Sequence, residues 1–298
     1  FCNSLSQTNL KTNQRMKQTT LATSVELKGK GLHTGVETNI RLSPAPDNTS
    51  YVFIRTDLDD YEIPALVEFV SHCSYATTLM RGGVVISTCE HLLSALYGLG
   101  IDNCFIEIDN IEIPILDGSA EDWIVAINKA GRKELTEPRR YLRVRKTIEL
   151  SEGNRHISLS PSDRFEISCT IDFPHPMIGR QSLDFALENG NYQGHIASAR
   201  TFGFLKEIEI LQKANLALGG SLDNAIVLTE DGMLNENPLR WADEFVRHKI
   251  LDIIGDAALL GLPLLGRIKA ERSGHAVHAA IFSKLLRSED AWEIIETN

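Results

Sequence analysis

The segment RHKILDIIGD (247–256) places His248, Asp252 and Asp256 four residues apart. On a helix, positions i, i+4 and i+8 form one row along one side. Phe245, Ile250, Leu251, Ile253, Ile254 and Ala258 cover much of the remaining surface. A titratable row on so apolar a helix has to face a polar pocket or a metal, because a buried carboxylate needs a partner. Imidazole and carboxylate at i, i+4 suit one tetrahedral ion, as the two histidines of an HExxH helix do. Taken alone, the pair also fits a solvated helix face, where charged pairs at this spacing are common.

A second helix, expected over 87–98, carries Glu90 and His91 side by side. Adjacent residues do not easily ligate one ion together, but one can ligate while the other acts as a base beside it. Two plainer readings stand next to that one. Ser87 and Glu90 have the spacing of a capping box, in which Glu90 would reach back to the Ser87 amide. His91, followed by Leu92, Leu93 and Leu96, also fits a satisfied core histidine. What links the two helices is a repeat: HLLSALYG (91–98) and HKILDIIG (248–255) both start on histidine and reach glycine seven residues later.

The elements needed to hold these helices follow the same order twice. Strand-like runs at 20–28, 36–43, 51–56 and 84–86 precede the first helix. An alternating strand follows at 103–108, with Cys104, Ile106 and Ile108 on one face, and then a helix capped by Ser119 with Asp122 three residues on. The second half runs strands at 141–150, 156–160, 165–171 and 182–186, a helix at 242–260, a strand at 266–271 and a helix at 274–286. Between the halves lies GRKELTEPRR (131–140), polar and charged, which reads as the domain boundary. The expected fold is therefore α+β, with two pseudo-repeated two-layer sandwich domains at 16–135 and 141–298 and an active site at their interface, where pockets favour forming. The second domain contains a βαβ-like insertion near 196–229, with a helix near 206–217.

Composition narrows the field. Over 298 residues, 30 basic against 40 acidic residues leave a net charge of −10, which disfavours nucleic acid as a partner. The longest strongly apolar stretch, 257–266, is too short to span a membrane and contains Pro263. The five cysteines are widely spaced with no CxxC pair, so neither a zinc ribbon nor a disulfide framework is indicated, and a reducing compartment is expected. Cys104 and Cys169 read as small core residues. Before Glu26 the chain has no acidic residue but contains Lys11, Arg15, Lys17 and many hydroxyl and amide side chains. That composition resembles the remains of an organelle presequence and equally fits a polar tail.

Seven motifs in order, GKGLHTG (29–35), STCEHLLSAL (87–96), PILDGSA (114–120), ARTFGF (199–204), GGSLDNA (219–225), RHKILDIIGD (247–256) and SGH (273–275), resemble the zinc-dependent UDP-3-O-acyl-N-acetylglucosamine deacetylases of lipid A biosynthesis. The resemblance runs from about Met16 to the end. It implies one Zn2+ per chain, bound by His91, His248 and Asp252, with Glu90 as general base and His275 as the acid that protonates the leaving amine. Asp256 would hold His275 protonated, and Thr201 would stabilise the oxyanion. Lys249 would contact substrate phosphate, although it is turned about 100° around the helix from its neighbour His248. Phe202, Phe204, Ile208 and Leu222 would line an acyl passage, Ile208 and Leu211 falling on one helical stripe with Phe204, and His33 would lie near the substrate. The substrate is expected to be the UDP-3-O-acyl-N-acetylglucosamine itself, acted on by a monomer without a transmembrane segment. Because bacterial members begin near Met16, residues 1–15 are expected to be a mitochondrial presequence, with cytoplasmic or plastid location as the alternatives.

Overall fold

The computed structural model describes residues 16–188 and 190–296. The leader expected at 1–15, with Cys2, lies outside the described residues. Six α-helices occur among them: α1 (Glu90–Gly98), α2 (Glu121–Ala130), α3 (Asn191–His195), α4 (Leu205–Lys213), α5 (Glu244–Ala257) and α6 (His275–Arg287).

Two larger sheets carry these helices. One has the strand order Val25–Lys30, Glu37–Pro44, Cys104–Ile108, Tyr51–Arg55, Tyr61–Pro64. Its strands pair antiparallel except Tyr51–Arg55 with Cys104–Ile108, which are parallel. Alternation sets the buried face: Ile40 and Leu42, then Cys104, Ile106 and Ile108, point inward while their neighbours meet solvent. The second sheet has seven strands, with Leu264–Glu271 at its centre. That strand pairs with Arg155–Ser160, Phe165–Phe173 and Arg140–Val144 at different points along its length. Helix α5 packs on Phe165–Phe173 and Gly179–Ala186 and also touches both α1 and α6. The contact between α1 and α5 thus joins the helical layers of the two sheets.

Several expected elements are corrected. The run at 20–28 is two strands, Lys17–Leu21 and Val25–Lys30, broken by a bend at 22–24 and placed in different sheets. The run at 141–150 likewise divides into Arg140–Val144 and Ile148–Glu152. The polar segment 131–140, read as the domain boundary, contains strand Arg132–Pro138, antiparallel to Lys17–Leu21. A strand with most of its side chains in water has no buried face to reveal it in sequence. In the 196–229 region, Phe202–Phe204, α4 and Ile226–Leu228 follow one another, and the two short strands pair in parallel. Helix α4 ends at Lys213, short of the expected 217.

Two caps also differ. Helix α1 begins at Glu90 with no side-chain cap. The Ser87 amide donates to the Ile111 carbonyl at 2.9 Å, so the amide that a capping box would use is already taken. Ser119 lies one residue before the position expected of it, and its hydroxyl accepts the Glu121 amide at 3.1 Å without any part for Asp122.

Helix α5 is apolar enough to carry buried acids. Phe245, Ile250, Leu251, Ile253 and Ile254 are fully buried. Each such side chain contributes about 1.5–3 kcal/mol, against a desolvation cost of several kcal/mol for each buried ion. Packing against α1 is close at one point. A Cβ at Gly255 would lie 2.1 Å from the Glu90 carbonyl oxygen, so only glycine lets the two backbones meet there. One turn earlier, Ser94 on α1 donates to the Leu251 carbonyl at 2.8 Å and shares a 2.7 Å hydrogen bond with the Tyr192 hydroxyl.

Candidate active site

The row on α5 meets the first turn of α1 where Gly255 brings them together. His91, His248 and Asp252 are all buried, and one ligand atom from each lies within 4.8 Å of the others. His248 Nε2 is 3.4 Å and His91 Nε2 3.7 Å from the same Asp252 Oδ1. The two imidazoles stand edge to face, with centroids 4.9 Å apart.

This trio has the chemistry of a metal centre. Asp252 Oδ1 is a buried oxygen with no hydrogen-bond partner, an arrangement that is costly unless something else faces it. His248 Nδ1 lies 2.9 Å from the Ala199 carbonyl, so it carries the proton and leaves the Nε2 lone pair facing the other two groups. Burial outweighs the opposing charge of Asp252 and, with His91 and Lys249 acting in the same direction as burial, lowers the His248 pKa to about 3, so the ring is neutral. Burial pushes the Asp252 carboxyl the other way, but the Lys249 ammonium at 2.9 Å, together with His248, His91 and His275, outweighs it and holds the group well below its ordinary value. A neutral imidazole and an ionised carboxylate are the forms that bind a cation.

Around the trio stand the expected acid–base groups. Glu90 is buried, and its carboxylate accepts the Thr77 amide at 3.1 Å. Burial raises its pKa against the opposing charges of His275 and His91. His275, at the start of α6, places Nε2 3.5 Å from Glu90 Oε1 and 4.0 Å from Asp252 Oδ2. Its Nδ1 is 2.7 Å from Asp256 Oδ2. Burial lowers the His275 pKa, but the charges of Asp256 and Glu90 more than reverse that and bring it to about 10. Asp256 is raised by burial and brought down to about 2 by His275 and His278.

The segment expected to carry the oxyanion hydroxyl is fixed by its backbone. Thr201 donates its amide to Gly118 O at 2.8 Å and accepts the Ile226 amide at 2.8 Å. It lies two residues after Ala199, the carbonyl that orients His248. The buried Arg200–Glu244 pair, at 2.9 Å, ties the segment to the start of α5. Phe202 packs edge-on to His248 and Phe245, and Phe204 contacts Phe173 and His175. Lys249 lies over the Phe202 ring at 5.4 Å as well as beside Asp252, so it is neither a free surface lysine nor turned away from the site.

Other expected residues lie on other parts of the chain. His33 sits on the turn at 31–34, near Tyr75, with both ring nitrogens buried and unpartnered. Burial lowers its pKa while Glu112 opposes. Ile208 and Leu211 on α4 are half-buried, and Leu222 is 45% exposed. Two members of the site were not foreseen. His278 donates Nδ1–H to Asp256 Oδ2 at 2.7 Å, and its Nε2 pairs with the Ser273 hydroxyl at 2.8 Å. The i, i+3 spacing from His275 on α6 was the available signal. Thr77 donates its hydroxyl to Asp256 Oδ1 at 2.6 Å across 179 residues, and nothing local in the sequence marks it.

The family model described as UDP-3-O-acyl N-acetylglycosamine deacetylase matches residues 18–287. The chain belongs to this family. Among its relatives, the UDP-3-O-acyl-N-acetylglucosamine deacetylase of Solibacter usitatus is 47% identical over 278 residues, covering 93% of this chain and 94% of that protein. The deacetylase of that name from Myxococcus xanthus is 46% identical over 93% of this chain and 89% of its own length. The one from Hahella chejuensis is 44% identical, with 94% of each chain covered. No helix among the described residues of this family member is long and apolar enough to cross a membrane.

Proposed function

We propose that this chain hydrolyses the N-acetyl group of UDP-3-O-acyl-N-acetylglucosamine, releasing acetate and the free 2-amine, in lipid A biosynthesis. The observation that carries the proposal is the convergence of His91 Nε2, His248 Nε2 and the unpartnered Asp252 Oδ1, flanked by Glu90 and His275. These three residues would hold one Zn2+, which when bound supplies Lewis-acid polarisation of the carbonyl and lowers the pKa of a coordinated water toward about 7.

The remaining chemistry belongs to the chain's own side chains. Glu90 takes the proton from the attacking water; its raised pKa makes it a better acceptor than an ordinary carboxylate. His275, kept protonated by Asp256, gives its Nε2 proton to the departing nitrogen. The Thr201 hydroxyl donates to the oxyanion that forms at the carbonyl. Lys249 contacts a substrate phosphate, and Phe202, Phe204, Ile208 and Leu222 take the acyl chain. His33 lies against the substrate from the turn at 31–34. The deciding experiment is acetate release from UDP-3-O-acyl-N-acetylglucosamine, with metal analysis of the same sample. Zinc-bound protein that releases no acetate would overturn the reading.

A further inference from the structure

Glu112 is 1% exposed and belongs to none of the side chains assigned above. Its carboxylate takes four donors and has no basic partner among them. Oε1 accepts the His33 amide at 2.9 Å and the Thr88 hydroxyl at 2.8 Å. Oε2 accepts the Thr34 amide and the Thr34 hydroxyl, each at 2.7 Å. The same oxygens therefore join two pieces of chain that meet nowhere in sequence: the His33 turn, and the turn two residues before Glu90.

The backbone repeats the arrangement. The Ile113 amide donates to the Ser87 carbonyl at 3.0 Å, while the Ile115 amide donates to the Lys30 carbonyl at 2.9 Å. Segment 111–115 is thus a bar with the His33 turn on one side and the lead-in to α1 on the other. Both turns need that support. Thr88 has φ of 58°, a left-handed conformation unfavourable for a residue branched at Cβ. A Cβ at Gly31 would lie 2.3 Å from Glu112 Oε2, so the turn closes tightly onto the carboxylate.

We propose that Glu112 is a positioning residue that couples the His33 turn to the Glu90–His91 turn, holding the substrate-facing imidazole and the base in one register. The inference rests on the function proposed above. Removing the carboxylate's charge weakens every one of these bonds, and a glutamine amide presents an N–H to at least one donor that needs an acceptor.

The test uses the full chain with Thr34→Val, Thr88→Val, Glu112→Gln and the double variant Thr88→Val/Glu112→Gln. The kinetic readout is KM and kcat for acetate release. The second readout is backbone amide exchange over 31–36 and 87–93 in metal-free protein. Thr34→Val should raise KM several-fold and leave kcat within about twofold, whereas Thr88→Val should lower kcat about tenfold, the scale of one lost hydrogen bond to a charged group. Glu112→Gln should do both, and adding Thr88→Val to it should cost less than about twofold more. Exchange should quicken in both segments for Glu112→Gln and in one segment for each threonine variant. Additive kinetics, or exchange unchanged in either segment of Glu112→Gln, would overturn the coupling. A lowered melting temperature with wild-type KM and kcat would reduce Glu112 to a structural residue and also overturn it. If Glu112→Gln does not fold, the opposite KM and kcat effects of the two threonine variants decide the matter. Should the wild-type chain release no acetate, the functional reading fails while the exchange arm still judges the coupling.

Discussion

Two clusters of one aspartate and two histidines stand one turn apart on the same side of α5, and they are wired in opposite ways. In the first, His91, His248 and Asp252, the ligand atoms converge and Asp252 Oδ1 has no hydrogen-bond partner. In the second, Asp256, His275 and His278, the atoms are as close, but every carboxylate oxygen is occupied. Asp256 Oδ2 accepts both Nδ1–H groups and Oδ1 accepts the Thr77 hydroxyl. Residue type and proximity are the same in both. What separates a metal centre from a proton-holding relay is whether lone pairs are left over once the hydrogen bonds are counted.

The largest expected effect tests that division directly. His248→Ala or Asp252→Ala should lose bound zinc and with it all measurable acetate release, while Asp256→Asn should retain a full equivalent of metal by elemental analysis. Zinc lost from the Asp256 variant and kept by the Asp252 variant would reverse the assignment of the two clusters.

Next in size is Glu90, which stands between the clusters and belongs to neither. Glu90→Gln should keep its metal and lose roughly a hundredfold or more in kcat, the scale of removed general-base help. Near-normal kcat would show that this carboxylate serves only to hold the Thr77 amide.

Asp256→Asn should have a smaller effect, exerted through His275. Without the carboxylate the His275 pKa should fall from about 10 toward its ordinary 6.5. At pH 7.5 that leaves about a tenth of the rings protonated, hence a loss of about tenfold, with the basic limb of kcat/KM moved down in pH. The same shift bears on stability. His275 binds its proton more tightly folded than unfolded, so its contribution is complete below 6.5 and is lost as pH rises through about 10. Metal-free wild-type protein should lose stability across that window, and Asp256→Asn should flatten the slope in a denaturant series.

The smallest effect concerns His278. His278→Leu removes one hydrogen bond to a buried carboxylate and should lower stability by about 1.5–3 kcal/mol, whereas His278→Asn, which keeps a donor near the Nδ1 position, should recover most of it. Equal stability of the two variants would remove His278 from the relay.

The repeated helices show how far local sequence reaches. Periodicity placed His248, Asp252 and Asp256 on one side of α5, and alternation marked the inward face of Cys104–Ile108, because both patterns depend only on neighbours in the chain. The shared glycine, however, has two different reasons. A Cβ at Gly98 would strike the Tyr192 ring at 2.3 Å, while one at Gly255 would strike the Glu90 backbone. The matching spacing could not tell these apart. Nor could it show that Ser87 gives its amide to Ile111, which leaves Glu90 free of a cap and turned toward Thr77.

What the sequence alone determined is the set of chemical groups, the helix row that carries three of them and an alternating strand beneath. Tertiary structure decided which cluster keeps an unpartnered oxygen, that polar 132–138 is a strand, and that His278, Thr77 and Glu112 join the site. The physical reason is distance along the chain. Helix rows and strand faces arise from contacts a few residues apart, but hydrogen-bond satisfaction is settled by partners such as Thr77 and Asp256, 179 residues apart, once packing has brought them together.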